Sequence, residues 1–144
     1  MARIIAITAG TWNTSNPFNT SAGAVDSSAT TSVSIGGVTT TVNDCLLLYG
    51  VSGSLPDGLG GAEFSSWSNG SLSSVTEQMD ETTNKGNGGS LGMASGGLAS
   101  FGASGAMTVT AATSAVRGKI CLAIEPVAAA SGSYSGWYGS GMGW

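Results

Sequence analysis

The sequence predicts an all-β chain, an antiparallel sandwich of about seven or eight strands joined by short turns. Three observations lead there. Apolar and β-branched residues alternate with small polar ones at a period of two, and the segments are punctuated by Gly-Gly, Pro-Asp-Gly and Asn-Gly turn chemistry. None of these segments carries the 3.6-residue apolar stripe of a helix. At 144 residues the chain fits one domain, long enough to bury roughly two-thirds of its unfolded surface.

The elements follow in order. Arg3 precedes the apolar run Ile4–Ile7, which is too short for a signal-peptide core of about 7–15 residues or a bilayer span of about 20, and it reads as a strand. Val33, Ile35 and Val38 flank a Gly36-Gly37 turn, and Thr39-Thr40-Thr41-Val42 is β-branched throughout. Cys45-Leu46-Leu47-Leu48-Tyr49-Gly50-Val51 is a continuous apolar run of strand length, the expected centre of the core. The stretch from Ser52 to Gly61 holds turn residues. Phe64 and Trp67 form one arm of a predicted hairpin, Asn69-Gly70 its type I′ turn, and Leu72, Val75 and Met79 its second arm. Asp80 to Gly89 reads as an exposed loop. Alternation resumes with Leu91, Met93, Leu98 and Phe101, followed by strands at Ala106–Thr110 and Ile120–Ile124, the last ended by Pro126.

Composition narrows the chemistry. A 41% hydrophobic content excludes a wholly disordered chain, while 24 glycines among many Ser, Thr and Ala leave few bulky side chains for the core. Contact with neighbouring subunits is the expected remedy. Four basic against eight acidic residues supply no cationic patch, so neither nucleic acid nor an anionic membrane is an expected partner. There is no histidine, the side chain best suited to proton exchange near neutral pH. Cys45 and Cys121 each sit in an apolar stretch and read as buried thiols on core strands, with a disulfide as the alternative.

The acidic residues Glu77, Asp80 and Glu81 are the sole candidates for calcium binding or catalysis, set against a plainer role as charges on a solvated sheet edge. Gly58-Leu-Gly-Gly and Gly86-Asn-Gly-Gly lack the Lys-Ser/Thr of a phosphate loop and read as turns. Trp67 with Phe64 and Tyr49 would make either a carbohydrate platform or ordinary packing. Asn13, Asn19 and Asn69 match a glycosylation pattern that so Ser/Thr-rich a chain produces by chance. The expectation is no catalytic, cofactor or metal site. Residues 1–127 are read as the sandwich and 128–144 as a Gly/Ser-rich tail, whose Tyr134, Trp137, Tyr138, Met142 and Trp144 are expected to dock on a neighbouring subunit or partner, with a disordered end or one folded back on its own sandwich as the alternative.

Several segments together carry a resemblance: Arg3-Ile-Ile-Ala-Ile-Thr8, Pro17-Phe18, Gly37-Val-Thr-Thr-Thr-Val-Asn-Asp-Cys-Leu-Leu-Leu48, Trp67-Ser-Asn-Gly-Ser-Leu-Ser-Ser-Val-Thr-Glu-Gln-Met-Asp80, Gly88-Gly-Ser-Leu-Gly-Met-Ala-Ser95 and Ile120-Cys-Leu-Ala-Ile-Glu-Pro126. In this order the chain resembles a Gly/Ser/Thr-rich, jelly-roll-like domain of tailed-phage virion structural proteins, over about residues 2–127. The resemblance implies a jelly-roll-like antiparallel β-sandwich in the virion, acting as a capsid decoration (cement) or tail-fibre part. It also implies a homo-oligomer such as a trimer, with a major capsid or tail protein as partner and no catalytic residues. Larger relatives carry further strands ahead of Arg3, so a shortened chain would complete its sheet with a neighbour's strand, and the aromatic tail lies outside the shared pattern. The alternatives are a receptor- or carbohydrate-binding module of a tail fibre and a strand-exchanging filament subunit.

Overall fold

A computed structural model describes residues 4–7, 11–56, 60–83 and 88–127. Ten strands run through them: β1 (Phe18–Val25), β2 (Thr30–Ile35), β3 (Thr39–Thr40), β4 (Cys45–Gly53), β5 (Phe64–Ser68), β6 (Ser73–Thr83), β7 (Gly89–Leu98), β8 (Gly102–Ala103), β9 (Met107–Ala115) and β10 (Arg117–Ile124). Eight of these have five or more residues, and the described residues include no helix.

The pairing is nested and antiparallel. β1 pairs with β10, β2 with β9, β3 with β8 and β4 with β7, so the chain is one long ribbon doubled back at the β5–β6 connection. Ribbon folded over ribbon gives a five-stranded sheet, β1-β10-β4-β7-β6, and a three-stranded sheet, β2-β9-β5, with the short β3-β8 pair apart. This is the connectivity of a jelly roll, and the predicted antiparallel sandwich is the observed fold.

The core lies between the two larger sheets. One wall is built by Cys45, Leu47, Tyr49 and Val51 of β4 with Cys121 and Ala123 of β10. The other is built by Val33 and Ile35 of β2, Phe64 of β5, and Met107, Val109 and Ala111 of β9. The apolar run at Cys45–Val51 is therefore central, as expected, and both cysteines are free, buried thiols.

On β7 the inward positions are Ser90, Gly92, Ala94, Gly96 and Leu98. Side chains from across the core fill the space these small residues leave. A Cβ on Gly92 would lie 2.4 Å from the Phe64 ring, and one on Gly96 would lie 3.0 Å from Leu72 Cδ1. Leu91 and Met93, at the alternate positions, consequently point away from the core, and Phe101 is exposed beyond the strand end.

Three local expectations are corrected. Ile4–Ile7 is not a strand: it pairs with no described residue, and Ile4 is 96% exposed, because pairing begins only where Thr11–Asn13 run beside Glu125–Val127. A strand propensity without a partner ladder leaves the backbone unpaired.

The Phe64–Met79 hairpin is not formed. β5 pairs with β9 and β6 with β7, so the connection crosses between sheets. Neither Asn69 nor Gly70 takes the positive φ that a type I′ turn requires. The Asn69 side chain turns inward instead, accepting the Ser71 N–H (2.8 Å) and donating to the Ser104 carbonyl (3.0 Å).

Asp80–Thr83 belong to β6 rather than to a loop. They are knit to the start of β5 and the segment before it: the Phe64 N–H donates to Asp80 Oδ2 (2.9 Å), and Thr82 Oγ1 donates to the Gly61 carbonyl (3.0 Å). Residues 84–87 lie outside the described residues.

Candidate interaction surface

Two networks of polar groups inside the sandwich hold its segments together. Tyr49 Oη donates to the Gly105 carbonyl (2.8 Å) and lies 2.8 Å from Ser104 Oγ, which accepts the Val38 N–H (2.9 Å). Burial pushes the Tyr49 phenol up to about 12, against the smaller opposing effect of its bond with Ser104, so it keeps its proton at neutral pH. Burial likewise raises the thiols of Cys45 and Cys121 above their ordinary range, which removes the thiolate that nucleophilic chemistry needs.

A second buried cluster was not legible in the sequence. Arg117, wholly buried, pairs its Nη2 with Glu63 Oε1 (2.8 Å) and also donates to the carbonyls of Thr30 (2.6 Å), Ala115 (3.0 Å) and Thr113. Glu63 in turn accepts the Thr113 N–H and hydroxyl, each at 3.1 Å, and the guanidinium carbon stands 5.8 Å from the Phe64 ring centroid. The cluster ties the end of β9 and the start of β10 to the segment before β5. Its arginine and glutamate lie 54 positions apart with no motif to link them.

The acidic trio sits on β6, an edge of the five-stranded sheet, and does not converge. Glu77 Oε2 accepts the Trp67 indole N–H (2.8 Å), Asp80 holds the Phe64 amide, and Glu81 is engaged elsewhere. Among the described residues no three His, Cys, Asp or Glu side chains gather to hold a cation.

The aromatic trio makes no platform. Tyr49 and Phe64 are core residues, and Trp67 is half-buried with its ring 6.1 Å from Phe64. Of the three glycosylation-pattern asparagines, Asn13 caps a turn through Ser15 and Asn16, Asn19 donates to Glu125 Oε1 (2.7 Å), and Asn69 is buried in the Tyr49 network. Tyr134, Trp137, Tyr138, Met142 and Trp144 lie outside the described residues.

What remains is the outward face of the five-stranded sheet. Register sets Ile120 of β10 beside Gly50 of β4, Gly50 beside Met93 of β7, and Met93 beside Met79 of β6. The next row outward carries Leu122 beside Leu48. Leu46 and Leu91 extend the patch along their strands, so an apolar band crosses four strands on the side opposite the core.

Ile120 is the exposed member of this band and the other side chains named are partly buried, so the apolar surface is continuous across the four strands at the Ile120–Met79 row and narrows to β10 and β4 at the next. Gly50 and Gly118 lower its floor into a shallow depression of about 300 Å3 edged by Leu91, Met93 and Ile120. A Cβ on Gly50 would stand 3.0 Å from Ile120 Cγ2, a tight contact to which the isoleucine would have to yield. Half of Ile120 is exposed at the rim.

No protein-family model, curated protein or solved structure matches the chain.

Proposed function

We propose that this chain is a non-enzymatic structural protein of a tailed-phage virion, a capsid decoration (cement) protein that self-associates as a homo-oligomer such as a trimer and binds the surface of the particle. The observation that carries the reading is the apolar outer face of the five-stranded sheet, which a sandwich working alone would be expected to cover with polar side chains. The two buried polar clusters support it, because Tyr49 with Ser104 and Arg117 with Glu63 are engaged in internal hydrogen bonds rather than gathered around a cleft. Segments that carry the resemblance to phage virion domains fall on β4, β6, β7 and β10, four adjacent strands of that same sheet. The tail aromatics Tyr134, Trp137, Tyr138 and Trp144 would serve as additional anchors.

The test is the mass of the purified chain by sedimentation, together with microscopy, for the natural sequence and for a Leu48→Asp, Ile120→Asp variant. The natural chain is expected to assemble, and the variant to stay monomeric with an unchanged circular dichroism spectrum. A natural chain monomeric at every concentration would end the self-association reading, and absence of its peptides from purified virions would end the structural one.

A further inference from the structure

The five-stranded sheet has two edges built in opposite ways. β6 carries Glu77, Asp80 and Glu81 and two breaks in register along its ladder to β7. Charges and bulges of this kind deter a further strand from pairing. β1 carries neither protection over most of its length: Phe18–Val25 holds no charged residue and no proline, and its ladder to β10 is regular from Thr20 to Val25. Among the described residues no strand pairs with its far side; Asn19 near its start holds Thr41 through its side chain, and Val25 at its end is 71% exposed. The corresponding regular, uncharged run on β2 covers only Ser32–Ile35.

The same protomer holds a segment with the complementary deficiency. Ile4-Ile5-Ala6-Ile7 has strand composition but no ladder. Its own chain does not bring it to the open edge. Thr11–Asn13 are fixed beyond the end of β10 by the Val127 N–H to Thr11 carbonyl bond (2.9 Å), the Asn13 N–H to Glu125 carbonyl bond (3.0 Å) and the Trp12–Pro126 bridge. Only residues 8–10 separate Ile7 from Thr11. The tightest reversal there sets Ile4–Ile7 opposite residues no further along than about 15, short of Phe18 where β1 begins. A second molecule is under no such restriction.

We infer that Ile4–Ile7 of one copy adds as a strand to the β1 edge of a second copy, extending that copy's five-stranded sheet to six strands. Backbone N–H and C=O groups of β1 find partners, and the isoleucines leave water against the neighbouring sheet. Donor segment and acceptor edge are different patches, so the contact is head-to-tail: it closes into a ring where the rotation permits and otherwise propagates as a filament. The inference rests on the self-association reading and names the contact that would produce it.

The test uses the full chain and a synthetic peptide of residues 1–10. An Ile5→Pro, Ala6→Pro variant removes a ladder donor whichever of the two alternating sets of N–H groups faces β1, in a segment that is unpaired within its own protomer, so its circular dichroism and thermal midpoint should match those of the natural chain. Its self-dissociation constant should rise roughly tenfold or more. The natural peptide in excess should break up assemblies of the natural chain and slow hydrogen exchange at amides of Phe18–Val25, and the doubly proline-substituted peptide should do neither.

A variant that assembles as tightly as the natural chain, or a peptide that protects amides elsewhere, overturns strand addition and leaves self-association through the apolar face standing. A natural chain that never assembles overturns both.

Discussion

Removing the Glu63 carboxylate tests whether the buried ionic cluster is as closely balanced as its geometry indicates. The Arg117 guanidinium is wholly out of solvent, with three carbonyls and one carboxylate around its two Nη atoms and no hydrogen-bond partner on Nε. In Glu63→Ala the cation loses the carboxylate paired with it, and the Thr113 N–H and hydroxyl lose their acceptor. Leaving a buried charge uncompensated costs about 3–5 kcal/mol. For a domain of this size that lowers the melting temperature by roughly 10–20 °C.

The companion Arg117→Met should be costly for the mirror-image reason, and the Glu63→Ala, Arg117→Met double variant should be less destabilised than the sum of the single ones by at least about 2 kcal/mol. Urea unfolding of the four proteins supplies the cycle. Because the pair is buried, the coupling should persist in about 1 M salt, where exposed pairs are screened. A Glu63→Ala cost below about 1 kcal/mol, or a coupling that vanishes in salt, would refute the argument.

Other predictions concern the core and its turns. Tyr49→Phe should cost about 1–3 kcal/mol by leaving the Gly105 carbonyl and Asn69 amide short of a partner, measured by urea unfolding. In the natural chain Tyr49 is pushed up to about 12. Between the ordinary tyrosine range near 10 and that value the folded state keeps a proton that the unfolded chain has released, so stability should fall as pH rises through this window, and one tyrosine should ionise late in an alkaline absorbance titration. Gly37→Ala should destabilise by about 2–3 kcal/mol, since its Cβ would lie 2.0 Å from the Gly105 carbonyl oxygen, whereas Gly36→Ala meets no atom within 4 Å and should be neutral or slightly stabilising in thermal melts. Cys45 and Cys121 should resist thiol reagents in the folded protein and react at once on unfolding; rapid native labelling would contradict their burial.

Strand character and a central apolar strand at Cys45–Val51 were legible in the sequence because backbone alternation and side-chain transfer out of water are local properties, written at a period of two along each segment. Partnership was not. Whether Phe64–Ser68 pairs with the strand after Asn69-Gly70 or with β9 depends on where the Asn69 amide finds its hydrogen bonds, and those lie on Ser104 and Tyr49, far away in the chain. The face taken by Leu91 and Met93 was likewise decided from across the core, because Phe64 and Leu72 occupy the space above Gly92 and Gly96 and turn the larger β7 side chains outward. Arg117 and Glu63 find each other only when the ribbon closes. Alternation says that a strand has two faces, but which face meets water, which edge stays open and which distant charges meet are set by packing between segments. That is why the apolar outer face and the unguarded β1 edge emerge from the tertiary structure alone.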